Sequence, residues 1–280
     1  MDGLIDTLRE VLLAGLLGTG RQVALILGPL ALAAGALHLV ENQLTGRLVS
    51  RLGWRSIWLT GWLGVPLHEL SHAATCLLFG HKVKRMRLFA PDRATGRLGD
   101  VQHAYDPKSP WQQLGRFFIG IAPLLGGSLA LWALSATLGP AGVGFEPLAA
   151  GSGPAEAASA AVAQGAALFR GLADPDVLGR WTTWVFLYLC LCVGAHMAPS
   201  GTDIKGGAFG LALALAALLA VNVVVAFCGG QVATLERFAL AAVAPLLVLL
   251  LLALILGVAF LLVVLLVTAP LPDRAGAQSS

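Results

Sequence analysis

Five consecutive residues near the middle of an apolar segment have the types and spacing of a metal-binding motif. They are His68, Glu69, Leu70, Ser71 and His72. Side chains four residues apart share one face of a helix, so His68 and His72 can bind the same metal ion. Glu69 follows the first ligand and can act as general base on a metal-bound water. Because ionisable groups inside a membrane are costly, we interpret the motif as a metal site rather than as a pair of core histidines.

A catalytic zinc ion needs three protein ligands and one open coordination position. Asp203 is the best candidate for the third ligand, because it is the only carboxylate between Asp176 and Glu236. It also follows a break at Pro199 between two apolar segments. The alternative is an aspartate that caps the next helix. Both interpretations remain open on the residues alone.

The composition is that of a membrane protein. Hydrophobic residues make up 57% and charged residues 12% of the chain, and the mean hydropathy is +0.81. A soluble domain would carry about 25% charged residues. The formal charge of +3 is small, so we expect no nucleic acid as a partner. The apolar composition predicts the lipid bilayer as the surroundings of the chain. The four cysteines lie in apolar stretches, and we interpret them as small buried hydrophobic side chains.

We predict an all-α polytopic membrane protein with about six transmembrane helices. The spans are expected at 22–40, 56–79, 114–138, 181–197, 206–227 and 238–267. An amphipathic start precedes the first span, and a basic connector at 41–55 follows it. The predicted organisation is an N-terminal part at 1–55, a core at 56–207 that contains the metal motif, and C-terminal spans with a tail at 208–280.

The connector at 81–111 is strongly basic, with seven Lys or Arg residues against three Asp residues. By the positive-inside tendency it should face the cytoplasm. Two segments on either side of a turn-rich stretch at 91–96 favour a short membrane-associated β-hairpin after the motif helix. Its open edge could accept an unfolded substrate segment as an added strand. The alternative is a solvated basic loop that binds anionic lipid.

These residues resemble the site-two protease family of intramembrane zinc metalloproteases, over about 56–207. A glycine-proline segment similar to that of the family occurs at Gly120 and Pro123. The last family motif, Asn-x-x-Pro followed by Asp-Gly, resembles the stretch from His196 through Pro199 to Asp203. The chain departs from the pattern in three ways: His196 replaces the Asn, the spacer is one residue shorter, and Ile204 replaces the Gly.

The resemblance implies an intramembrane zinc endopeptidase that hydrolyses a peptide bond in or near a transmembrane segment of a membrane-protein substrate. Zn²⁺ would be bound by His68, His72 and Asp203, with Glu69 as general base. His196, Pro199, Gly120 and Pro123 would position substrate, and His196 could instead replace Asp203 as ligand. The Ala/Gly/Leu-rich composition suggests a bacterial inner membrane.

Three alternatives belong to other classes. The first is a catalytically inactive metal-binding scaffold that binds or sorts transmembrane helices. The second is a prenyl-protein-processing metalloprotease, which lacks support because no distal helical glutamate motif is present. The third is a transporter with discontinuous helices, although no inverted repeat is visible.

Overall fold

The structure, a computed structural model, describes residues 2–139 and 154–272. Nine helices and a two-stranded sheet are described in those ranges. The helices are α1 (Asp2–Gln22), α2 (Gly28–Leu52), α3 (Trp58–Leu78), α4 (Pro110–Leu138), α5 (Pro154–Leu172), α6 (Pro175–Leu178), α7 (Trp181–Gly194), α8 (Gly201–Phe227) and α9 (Val232–Thr268). The strands β1 (Lys82–Arg87) and β2 (Asp100–Ala104) lie between α3 and α4.

The first two helices form one continuous helical rod. A π-helical turn, Val23–Leu27, joins α1 to α2. The Gly28 N–H donates to the Val23 carbonyl five residues back, beside Pro29, which has no N–H of its own to donate. The rod ends only at Gly53, whose φ of +87° favours glycine. Most of the predicted connector at 41–55 is therefore helix.

Four helices are long and apolar enough to cross a membrane: Gly3–Leu52, Pro110–Leu138, Gly201–Phe227 and Val232–Thr268. The motif helix α3 has 21 residues, but its two histidines and glutamate lower its hydropathy. Helix α7 has 14 residues and is short for a span. The described residues thus fit an all-α membrane protein with a small sheet. Four of the six predicted spans correspond to helices that are long and apolar enough to cross a membrane.

Helix α3 packs against α4 and α7, and α4 packs in turn against α8. Helix α9 packs along α2. The main core lies where α4, α7 and α9 meet, and Leu131, Phe186, Leu250 and Leu252 are fully buried there. Helix α3 is thus supported by α4 and α7, and strands β1 and β2 contact it as well.

The predicted hairpin is present. Strands β1 and β2 are antiparallel, with a register shift between Val83 and Arg85. Beyond the strands, the Ala90 N–H donates to the Leu98 carbonyl, so the paired region continues toward the turn. Helix α5 packs against α9. Residues 273–280 of the predicted tail lie outside the described ranges.

Candidate metal centre

Three predicted ligands come together from two distant helices. The His68 and His72 Nε2 atoms are 3.1 Å apart on successive turns of α3. Asp203, in the first turn of α8, places Oδ1 3.4 Å from His72 Nε2. Its Oδ2 lies 3.8 Å from His68 Nε2. Among the described residues these three form a group that could hold a metal ion.

Both imidazole rings are oriented by backbone carbonyls. The His72 Nδ1–H donates to the Ile119 carbonyl at 2.8 Å, and the His68 Nδ1–H donates to the His196 carbonyl at 2.7 Å. Since a neutral imidazole carries one proton, both Nε2 atoms are then unprotonated. Two lone pairs that face each other at 3.1 Å cannot form a hydrogen bond, but they can share a cation.

The Ile119 and His196 carbonyls can accept these hydrogen bonds because no backbone N–H four residues later occupies them. In α4, Pro123 has no N–H for the carbonyl of Ile119, four residues earlier. His196 lies in the break between α7 and α8, where the Ser200 N–H donates to Asp203 Oδ2 instead. Both prolines of the family-like motifs therefore lie near carbonyls that orient the ligands.

The separations suit a tetrahedral zinc ion. Zn–N and Zn–O bonds of roughly 2.0–2.2 Å give ligand–ligand distances of about 3.3–3.5 Å. The observed values of 3.1 and 3.4 Å lie close to that range, and 3.8 Å requires only a small shift of one carboxylate oxygen. Asp203 is also part of a capping box with Ser200, so the two sequence interpretations of this residue are compatible.

Glu69 points into the cavity beside the ligands and is 7% exposed. The hairpin passes directly over it at Gly99. A Cβ at that position would lie 2.8 Å from Glu69 Cγ and 2.8 Å from the Arg87 carbonyl oxygen. Only glycine allows this approach, which the sequence alone did not indicate.

The four residues predicted to position substrate have structural roles near the ligands. Gly120 allows α4 to approach α8, because a Cβ there would lie 2.7 Å from the Asp203 carbonyl oxygen. His196 is 5% exposed, and its Nε2 lies 3.0 Å from Thr60 Oγ1. Its Nδ1 lies 3.5 Å from Glu41. His196 lies outside the three-residue ligand group, whereas its carbonyl orients His68.

A cavity of about 540 Å³ surrounds the candidate site. Strand β2 and the loop before it form one wall, and helix α2 forms another. The α2 wall presents a polar stripe made of His38, Glu41, Asn42 and Thr45. Sequence reasoning missed this stripe, although its i, i+3, i+4, i+7 spacing is the helical signal that could have revealed it.

The hairpin brings an ionised carboxylate to the cavity wall. Burial opposes the charged form of Asp100, but the hydrogen bond and the charge of Arg87 outweigh it and hold the pKa of Asp100 below its ordinary value. Arg87 and Asp100 are in direct contact. This ion pair joins the ends of β1 and β2 at the side nearest Glu69.

Comparison with protein-family models, curated proteins and solved structures found no match to this chain. The local geometry of the site is therefore the basis for assigning a function.

Proposed function

We propose that this protein is an intramembrane zinc endopeptidase of the site-two protease type. The observation that carries the proposal is the meeting of the His68 and His72 Nε2 atoms and the Asp203 carboxylate beside Glu69. A polar cavity of about 540 Å³ next to these groups provides space for water and a peptide segment. The donor set, two histidines and one carboxylate, is that of catalytic zinc sites with an open fourth position.

The chain's own residues account for the acid–base chemistry. A zinc ion, when bound, supplies Lewis acidity that polarises a peptide carbonyl and makes water more acidic. Glu69 is placed to take a proton from the attacking water and to deliver it to the leaving amine. The Ile119 and His196 carbonyls keep both imidazoles oriented toward the metal throughout.

The hairpin supports binding of the substrate in an extended conformation. Within the described residues, β2 pairs with β1 only, so its second edge is free, and residues of β2 line the cavity. A peptide segment that adds to this edge would satisfy its backbone hydrogen bonds while it is unwound. This suits a transmembrane substrate, because an intact helix offers no free scissile bond.

The proposed location follows from the same features. Four long apolar helices support a multi-pass membrane protein. We place it in a bacterial inner membrane, with the basic hairpin toward the cytoplasm.

The test combines cleavage with metal analysis on the full-length protein in liposomes. The probes are single-span reporters that carry an Asn-Pro pair at successive positions along their apolar helix. We expect zinc-dependent cleavage by the wild type, and a loss of at least about 10³-fold in Glu69→Gln with its zinc retained. Glu10→Gln, an exposed glutamate on α1, is the matched control and should cleave normally.

Two results would reject the proposal. If His68→Ala and Asp203→Ala bind as much zinc at their site as the wild type, the metal centre is wrong. If folded, zinc-loaded wild type cuts none of the reporters, the metal-binding scaffold that holds transmembrane helices becomes the better description.

A further inference from the structure

A second group of metal-ligating side chains lies one turn beyond the candidate catalytic site. It consists of Cys76 near the end of α3, His81 in the turn after it, and His103 on β2. Their donor atoms all lie within 4.8 Å of one another. Cys76 is fully buried and His81 is 3% exposed. The three residues thus form a compact set of one sulfur and two nitrogen donors, in which Cys76 and His81 are buried and His103 is partly exposed.

Hydrogen bonds orient the lone pair of His81 into this group. The His81 Nε2–H donates to the Gln112 carbonyl at 2.8 Å, which leaves Nδ1 unprotonated in the neutral ring. That Nδ1 faces His103 Nδ1 at 2.9 Å. The Tyr105 ring stacks on His81 with centroids 5.3 Å apart and fixes the ring plane. A backbone carbonyl that holds the far nitrogen of an imidazole is the usual support of a metal-binding histidine.

We propose that Cys76, His81 and His103 form a second metal site, which binds Zn²⁺ and fixes the hairpin to the end of the motif helix. Thiolate and imidazole donors favour zinc over magnesium or calcium, which prefer oxygen ligands. Three protein ligands leave a fourth position open. On binding, the Cys76 thiol loses its proton, and His103 carries its proton on Nε2 so that Nδ1 can coordinate the ion.

The geometry needs only small adjustments to hold the ion. Zinc bonds of about 2.3 Å to sulfur and 2.0–2.1 Å to nitrogen set the sulfur–nitrogen separation near 3.6 Å and the nitrogen–nitrogen separation near 3.3 Å. The His81–His103 distance of 2.9 Å must widen slightly, and the thiol must close on the two rings. Rotation of the Cys76 and His103 side chains supplies both movements.

This site is separate from the candidate catalytic centre. Cys76 is four residues beyond His72 on α3, so the two metals would lie about one helical turn, or roughly 5–6 Å, apart along the helix. Bridged two-metal centres require about 3.5–4 Å. The second site instead links α3 to β2, whose residue His103 also lines the cavity. Its function is to position the cavity wall, and it does not depend on proteolytic activity.

Cobalt distinguishes the two sites, because only the second one offers a thiolate. We would strip the full-length protein of metal in detergent and titrate it with Co²⁺ and then with Zn²⁺. The wild type should bind two ions per chain and show a near-ultraviolet thiolate-to-cobalt charge-transfer band. Cys76→Ala should lose the band and one ion, while a His68→Ala/His72→Ala variant should keep the band and lose the other ion.

Two controls make the outcome decisive. Cys190→Ala removes an equally buried thiol elsewhere in the core and should keep both ions and the band. If Cys76→Ala does not fold, His103→Ala on the partly exposed strand replaces it, with at least a 10-fold loss of zinc affinity expected. The wild type should also gain thermal stability on zinc addition that His103→Ala does not gain.

A single ion per wild-type chain, without the charge-transfer band, would overturn the proposal. The pair His81–His103 would then be a simple hydrogen bond beside an inert thiol. That result would leave the proposal for the His68–His72–Asp203 site unaffected. Conversely, loss of metal from the His68–His72–Asp203 site would leave the cobalt–thiolate band in place.

Discussion

The orientation of each candidate histidine ligand depends on a single backbone carbonyl that its own helix does not supply. The Ile119 carbonyl is available to His72 because Pro123 cannot donate to it. In an uninterrupted α4 the amide at position 123 would occupy that acceptor. Pro123 therefore affects the candidate metal site only through the orientation of His72.

Pro123→Ala tests this dependence. The new amide would compete with His72 Nδ1–H for the Ile119 carbonyl, so we expect zinc affinity at the first site to fall roughly 10- to 100-fold. The measurement is a competition titration against a zinc-binding dye. Pro245→Ala, in the long helix α9, removes a proline from another helix interior and should leave zinc affinity unchanged. Equal zinc affinity in Pro123→Ala and Pro245→Ala would contradict the prediction. It would show that the Ile119 carbonyl accepts both the new amide N–H and the His72 Nδ1–H.

A second single residue, Gly99, controls the position of the Glu69 side chain. In Gly99→Ala the new methyl group would lie 2.8 Å from Glu69 Cγ, so either the side chain or the hairpin must move. We expect cleavage to fall at least about 10-fold in kcat, with zinc content unchanged, because a misplaced base loses much of its rate contribution. Gly46→Ala, with nothing near its added Cβ, is the control. Normal kcat in Gly99→Ala would exclude Glu69 as a precisely positioned base.

At the scale of the elements, α4 is the scaffold of the site because its small residues let three other segments approach. Gly120 faces the Asp203 backbone, Gly126 faces Ser71 of α3, and Gly127 faces Met197 in the break before α8. These contacts hold the motif helix, the Asp203 turn and the break against a single surface. The spacing between His72 and Asp203 is therefore set by α4 packing.

Gly120→Ala should separate α8 from α4. Its Cβ would lie 2.7 Å from the Asp203 carbonyl oxygen, which is backbone and cannot rotate away. Overpacking of this kind costs about 1–3 kcal/mol, and we expect zinc affinity to fall by a comparable factor of roughly 5- to 150-fold. Gly206→Ala places a methyl group in open space on α8 and serves as the control. Unchanged zinc binding in Gly120→Ala would mean that Asp203 moves independently of α4.

Sequence reasoning succeeded where a signal was local. The i, i+4 spacing of His68 and His72 predicted their shared face, and a proline break next to a lone carboxylate singled out Asp203. It failed for α2, because a polar and basic stretch was taken as a connector, although a lone glycine such as Gly46 is tolerated inside a helix. It also missed Cys76, His81 and His103, since that group spans a helix end, a turn and a paired strand, and no fixed spacing predicts their approach.

At the scale of the whole molecule, a buried amide pair fixes the N-terminal rod to the C-terminal half. Gln22 and Asn222 exchange two hydrogen bonds, at 3.2 and 2.8 Å. The Asn222 amide also donates to Thr19, and Asn222 is fully buried. Helix α1 continues into α2, which forms a cavity wall, and α8 carries Asp203. This distant contact between α1 and α8 therefore helps to fix the position of that wall relative to Asp203.

Asn222→Leu should lower the thermal midpoint in detergent by breaking this pair and leaving the Gln22 amide unsatisfied. Interhelical hydrogen bonds in membranes contribute about 0.6 kcal/mol, and up to about 1.7. The double variant Gln22→Leu/Asn222→Leu should recover part of the loss, because neither amide then remains unpaired. A double-mutant cycle in which the two effects simply add would contradict a coupled pair.

The distance along the chain between the ligands has a consequence for biosynthesis. His72 and Asp203 are 131 positions apart, and chains grow at about 5–20 residues per second. A ribosome therefore needs roughly 7–26 s to supply the last ligand after the motif helix has emerged. During that interval the nascent chain holds two histidines of the candidate site but not its third ligand. The proposed endopeptidase would therefore be inactive toward neighbouring helices until α8 has been made.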